Sequence, residues 1–226
     1  MTVASTIAAM SPLPLDAEIT ELRDDVRLLG HLVVEALAAA MGGLRDRDGD
    51  RLRQVIAGDA DLNERHRQER ERALDLIGTR HPSGSSLHQV VGLMLMGSEL
   101  ERMGDHAKSC ARLALPLIEL RQRPRLDDIG RLGAFVEEQV RDILEAVTEG
   151  DARRAQDIAA RDDRIDRIYH RLFDDLVETM REQAEHVYAA TNLLLMAHNL
   201  ERIADRVTNI AEDVVFLESG RIVELG

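Results

Sequence analysis

A six-residue phrase occurs twice in this chain, one hundred residues apart: LERMGD at 100–105 and LERIAD at 200–205. The likeness runs beyond the phrase. At the same shift Leu93 meets Leu193, Met96 meets Met196, Ala111 meets Ala211 and Leu117 meets Leu217. A repeat of about half the chain length signals a duplicated unit rather than a short-period solenoid. Whatever one half folds into, the other half must fold into as well.

The repeated stretch reads as helix. Leu193, Met196, Leu200, Ile203, Val207, Ile210 and Val214 recur at steps of three and four, and so do Leu93, Met96, Leu100, Met103, Ala107, Cys110 and Ala114. That spacing draws one apolar stripe along a helix. Glu101 and Asp105, and likewise Glu201 and Asp205, stand four apart and share a face one turn apart. At 3.6 residues per turn the second pair points roughly 150° from its stripe, so it projects outward rather than into a core. Asn209 continues that row, whereas Ser109 takes its place in the first copy.

Stripes of the same kind divide the rest. Asp16 opens a first helix, to about Gly42–Gly43, with Leu22, Val26, Leu29, Val33 and Leu37 apolar. A second covers about 50–78. Leu52, Val55 and Ile56 begin its stripe, Leu74 and Ile77 close it, and Gly58 marks a local irregularity. A third runs over about 85–121, with Pro116 kinking or breaking its end. RQRPR at 121–125 links to a fourth helix at about 126–148. Gly150 stops that one, Asp151 caps a fifth at about 151–182, and a sixth spans about 185–218. Short connections make successive helices antiparallel neighbours. The expectation is all-α: a tandem duplication of an antiparallel three-helix bundle. Residues 1–14 form a lead-in, 15–122 one bundle, 123–218 the other and 219–226 a tail.

Each half carries a second acidic row. The fifth helix has Asp162 and Asp166 one turn apart, and the matching part of the second helix has Asp59 and Asn63. In an antiparallel helix pair such rows can face one another across a groove. Oxygen ligands of this kind suit hard cations. An outward acidic row is more often a solvated face with local ion pairs, but such a face has no need to repeat its acids in register. With Asn63 and Ser109 replacing an acid and an amide, the first half is the weaker site.

Charge narrows the partners. A net charge of −13, with aromatics at only 2%, repels nucleic-acid backbones and offers few stacking platforms. No HExxH, P-loop or GxGxxG occurs, and no Glu is followed by His three residues later, as carboxylate-bridged di-iron cores require. Of the histidines, only His198, beside the Glu201 row, draws attention. The lone Cys110 lies on an apolar stripe and reads as a buried structural thiol. MTVASTIAAMSPLPLD lacks the basic start of a signal peptide. No uncharged apolar run approaches the ~20 residues of a membrane span, since Glu35 interrupts LVVEALAAAMGGL. A cytoplasmic protein is expected.

At the repeated LER-(I/M)-x-D, the RVTNIAEDVVFL that follows the second copy and the DxxID run before it, the chain resembles the PhoU family of phosphate-uptake regulators, over residues 15–218. The resemblance implies a doubled three-helix bundle and a non-enzymatic negative regulator of phosphate uptake. It implies two partners, the ATPase of a phosphate ABC transporter and a sensor histidine kinase, with membrane association through those partners alone. It further implies divalent or trivalent cations (Fe, Zn, Mn or Mg) on surface carboxylates. Carried over, the ligands are Glu201, Asp205, Asn209, Asp162 and Asp166 in the second half, and Glu101, Asp105 and Asp59 in the first. The long exposed helices are compatible with a homodimer. The alternatives are a metal-free helical adaptor for basic partners and a carboxylate-metal enzyme.

Overall fold

The computed structural model describes residues 13–225, so the expected lead-in falls almost wholly outside the described residues. The helices are α1 (Leu15–Asp46), α2 (Gly49–Arg80), α3 (Ser85–Ile118), α4 (Leu126–Glu149), α5 (Ala152–Ala159), α6 (Asp162–Glu182) and α7 (Val187–Ser219), with one 3-10 turn at Ala184–His186. No strand occurs among the described residues. α1, α2 and α3 pack as one antiparallel trio; α4, the α5–α6 pair and α7 form the second.

The apolar stripes of α1, α3, α4 and α7 are buried as their spacing requires. α2 departs from expectation at its end: Ala73 and Leu76 are buried, Leu74 is half exposed and Ile77 is only partly covered. The stripe there lies one residue earlier than expected, in a stretch where charged residues obscure the period. α3 carries Pro116 inside its last turn and ends two residues later, so the proline terminates rather than kinks it.

The irregularity expected at Gly58 falls instead at its repeat mate. α2 runs unbroken through Gly58, whereas the fifth helix breaks at Ala160–Arg161, between α5 and α6. Residues of the first two helices of each half align at a shift of 103, so Asp59–Ala60 matches Asp162–Asp163. Alanine favours helix interior. A second aspartate favours a helix start, where free N–H groups and the helix dipole attract negative charge. The N-cap at the start of this helix does repeat. Asp48 Oδ1 accepts the Arg51 N–H at 2.9 Å and Asp151 Oδ1 accepts the Arg154 N–H at 2.9 Å.

The trios meet mainly through α3 against α7, the most extensive helix contact in the molecule. These helices run antiparallel about a local twofold. Glu99 reaches across to Arg206 at 3.3 Å, and its mate Asn199 reaches His106, the mate of Arg206, at 2.9 Å. Cys110 lies fully buried here, its Sγ 3.9 Å from the Met196 carbonyl. α1 and α4 repeat the symmetry: Gly30 receives the Leu144 side chain, and Gly133 receives that of Met41. At each position a β-carbon would overlap the end of the incoming side chain, which would have to shift to make room.

α1 is long and apolar enough by length and composition to cross a membrane, a property the count of uncharged runs missed. Half of that window is packed inside the protein, against α2, α3 and α4, as expected of a core helix.

Candidate metal centre

The second half gathers four acids between α6 and α7. Asp162 and Asp166 lie on α6, with Glu201 and Asp205 on α7. None is in the apolar interior and none is fully exposed; the Glu201 and Asp205 side chains are 20% and 30% exposed. Instead of standing free on the surface, the outward row is half sunk beside α6. The acids act on one another's charge. Burial, then Asp166, Asp205 and Glu201, push the Asp162 carboxyl up to about 6. Burial and then Asp205 raise Glu201. Burial raises Asp205 too, against the pull of Arg202 and Arg206.

Local partners answer only part of this repulsion. Arg202 Nη1 pairs with Asp205 at 2.9 Å, and His198 Nδ1 stands 3.3 Å from Glu201 Oε2. The imidazole is not aligned to donate, so Glu201 Oε2 and also Asp162 Oδ1 are buried without a hydrogen bond. A buried acceptor left unpaired costs about 1–3 kcal/mol. Oxygen donors, orphaned lone pairs and unrelieved like charge all fit a hard cation. Among the described residues, no three His, Cys, Asp or Glu side chains converge closely enough to form a ready-made ligand shell.

Asn209, the fifth expected ligand, also makes a contact outside this group of acids. Its Nδ2 donates to Glu99 Oε2 at 3.0 Å, across the boundary between halves. Glu99 also accepts from Arg206, and beside them burial, then Glu99 and Glu212, push Asp213 up to about 8. Sequence reasoning passed over Glu99. Its repeat mate is Asn199, so comparing the copies at this position would have exposed the change of charge.

The first half is built differently. Asp59, Glu101 and Asp105 do face one groove, between α2 and α3. Lys108 Nζ donates there to Asp59 Oδ2 at 2.6 Å and to Asp105 Oδ1 at 2.6 Å. Asn63 Nδ2 donates to the same Asp59 oxygen at 3.2 Å. Burial and then Asp105 raise Glu101. Lys108 was not among the expected site residues, although it is the only lysine in the chain.

A second oversight lies about three turns beyond Asp59 along α2. Glu69 is 1% exposed, and neither carboxylate oxygen has a partner. It lies against Gly97, where a β-carbon would sit 2.6 Å from Oε2. Burial, then Asp25, push its carboxyl up to about 7. The mates of Glu69 and Gly97 in the second half are Leu172 and Ala197, both buried.

Comparison with known proteins places this architecture. The PhoU domain family matches residues 26–114 and 129–214, one match in each half. The chain is 33% identical over 204 residues to a phosphate-specific transport system accessory protein PhoU homolog of Caulobacter vibrioides, covering 90% of this chain and 89% of that protein. It is also similar to two crystal structures. The phosphate transport system regulatory protein PhoU from Streptococcus pneumoniae superposes with a TM-score of 0.88 at 31% identity, covering 94% of this chain and all of that one. PhoU from Pseudomonas aeruginosa superposes with a TM-score of 0.89 at 30% identity, covering 92% of this chain and all of that one.

Proposed function

This chain belongs to the PhoU family, and on that premise we propose that it is an accessory regulator of a phosphate-specific transport system, acting by protein contact rather than by catalysis. The observation that carries this reading is the likeness to accessory and regulatory proteins over nine-tenths of the chain, through both halves. In the finer form of the proposal, it restrains phosphate uptake by coupling the transporter ATPase to a sensor histidine kinase. It works in the cytoplasm and reaches the membrane only through these partners, as a monomer or a homodimer. A surface of net charge −13 suits basic protein faces and disfavours nucleic acid.

Deleting the gene tests the regulatory role: phosphate uptake and phosphate-responsive transcription should rise in phosphate-replete cells. Unchanged uptake and transcription would count against it. Copurification of the transporter ATPase or the kinase with the tagged protein tests the contacts.

Within this reading Asp162, Asp166, Glu201 and Asp205 would hold a hard cation, with Fe, Zn, Mn and Mg as candidates. A bound ion supplies positive charge where the four acids repel one another. Asp162 and Asp166 present oxygens from α6, Glu201 and Asp205 from α7, so α6 and α7 are the elements tied together. Metal analysis of purified protein tests this. The Glu201→Ala/Asp205→Ala variant should lose metal, and equal content in both proteins would remove the assignment.

The metal-free adaptor remains the second reading. It is favoured by the pairing of Asp205 with Arg202 and the closeness of His198 to Glu201, which answer part of the charge without an ion.

A further inference from the structure

The two grooves solve the same electrostatic problem with different parts. In the second half no Lys or Arg bridges the α6 and α7 rows among the described residues; Arg202 pairs with Asp205 on its own helix. In the first half one ammonium spans both rows, holding Asp59 of α2 and Asp105 of α3 at 2.6 Å each. The repeat mate of Lys108 is Thr208, which is buried with an unpaired hydroxyl. The mate of Asn63 is Asp166. Two of the exchanges change formal charge: the first half has one carboxylate fewer and one fixed positive charge more.

The fixed charge is well seated. The Lys108 side chain is 17% exposed and that of Asp59 is 11%. Two charge-assisted hydrogen bonds at this length are strong ones. Asn63 adds a further donor to the same Asp59 oxygen and, as an amide, brings no negative charge. A metal ion entering here would have to displace the ammonium from both carboxylates, or sit beside a like charge. Among the groove acids only Glu101 is left outside the grip of Lys108, because the mate of Asp166 is neutral.

We propose that Lys108 takes the place of a metal ion in the first half, so that any metal this protein binds is held in the second half, and that removing Lys108 opens the first. The second clause rests on the metal reading given above; the first stands on the first-half geometry alone. The protein carries one internal cation in one groove and an exchangeable one in the other.

The test is zinc binding by equilibrium dialysis and elemental analysis of the full-length chain, in the Glu201→Ala/Asp205→Ala background that disables the second half. With Lys108 intact this background should be metal-free. Adding Lys108→Thr with Asn63→Asp, which gives the first groove the residues of the second, should restore binding, tightening zinc affinity by at least about tenfold. Lys108→Met, which keeps the chain length without the charge, guards against a folding defect in the threonine variant, and circular dichroism checks both. If neither variant gains zinc, the inference is overturned, whatever the wild type binds. Zinc held by the background with Lys108 intact, and lost on Asp59→Asn/Asp105→Asn, overturns it as well. If the wild type is metal-free while the Lys108 variants gain zinc, the inference stands and the second-half metal reading falls.

A readout without metal competition comes from the lysine itself. Protein labelled with 13C-lysine gives a single side-chain signal, because Lys108 is the only lysine. That signal should stay fixed as zinc saturates the wild type. A large shift of the lysine signal on zinc binding that survives Glu201→Ala/Asp205→Ala would place the ion beside Lys108 and overturn the inference.

Discussion

The two halves share a scaffold and differ in how they place charge. Helix phase, the aspartate N-cap of the second helix and the reciprocal glycine contacts recur at matching positions. Positions between the second and third helices diverge, among them Asn63 against Asp166, Lys108 against Thr208, His66 against Tyr169 and Glu69 against Leu172. The first half neutralises its groove from within and buries an extra carboxylate nearby. The second keeps an apolar residue in that place and, among the described residues, has no ammonium or guanidinium bridging its groove acids, although each groove buries a carboxylate oxygen without a partner. Packing constrains a duplicated fold tightly, because every stripe residue meets several others. A half-open groove constrains it loosely, so charge there can diverge while the scaffold stays.

Exchanging residues between mates is the way to break this comparison. The largest effect is expected from Leu172→Glu, which places a carboxylate in the second half over Ala197 instead of a glycine. Burying an unpaired acid should cost about 3–5 kcal/mol in urea unfolding. A cost under about 1 kcal/mol would mean that both halves tolerate the charge equally.

The reverse exchange, Glu69→Leu, should stabilise by about 2–3 kcal/mol at pH 8. The sign follows from a carboxyl at about 7 in the folded state against 4.5 in the unfolded chain. Between those values the folded protein keeps a proton that the unfolded chain has released. Wild-type stability therefore falls as pH rises through this window, and the pH-dependent part of the difference from the leucine variant should disappear below about pH 4.5. Parallel pH profiles for the two proteins would refute the buried-charge account.

A smaller contrast concerns the ammonium. In metal-free buffer Lys108→Met should cost about 1–3 kcal/mol by leaving Asp59 with the Asn63 amide as its one donor among the described residues. Thr208→Val, at the mate, should stay within about 0.5 kcal/mol, since its hydroxyl has no partner to lose. Equal costs would erase the asymmetry between the grooves.

The smallest difference should come from the caps. Asp48→Ala and Asp151→Ala should each cost about 1 kcal/mol, because each carboxylate accepts the same N–H three residues on. Unequal costs would show that the scaffold has diverged too.

The features legible in the sequence were those with a period. Stripes three and four apart gave the helices of both halves, and the repeated phrase gave the duplication. Rows four apart gave the acids of both grooves. What escaped had no period to betray it. Glu69 lies inside NERHRQERER, where one buried acid looks like its exposed neighbours. Lys108 stands between Asp105 and Ser109 off the apolar stripe and reads as surface. Asn209 continues the acidic row in phase, yet Glu99 from the other half claims its amide, a contact no local spacing encodes. The break at Ala160–Arg161 depends on Asp163 standing where its mate is Ala60. In each case lining up the two copies residue by residue is the signal that would have served.

The single thiol has a practical consequence. Cys110 is sealed between α3 and α7, and burial pushes it up to about 12, so almost no reactive thiolate exists while the helices stay together. A disulfide reagent can reach it only when that seam parts. The rate of its modification therefore works as a clock for the separation of the trios, readable in the wild-type chain without any added label.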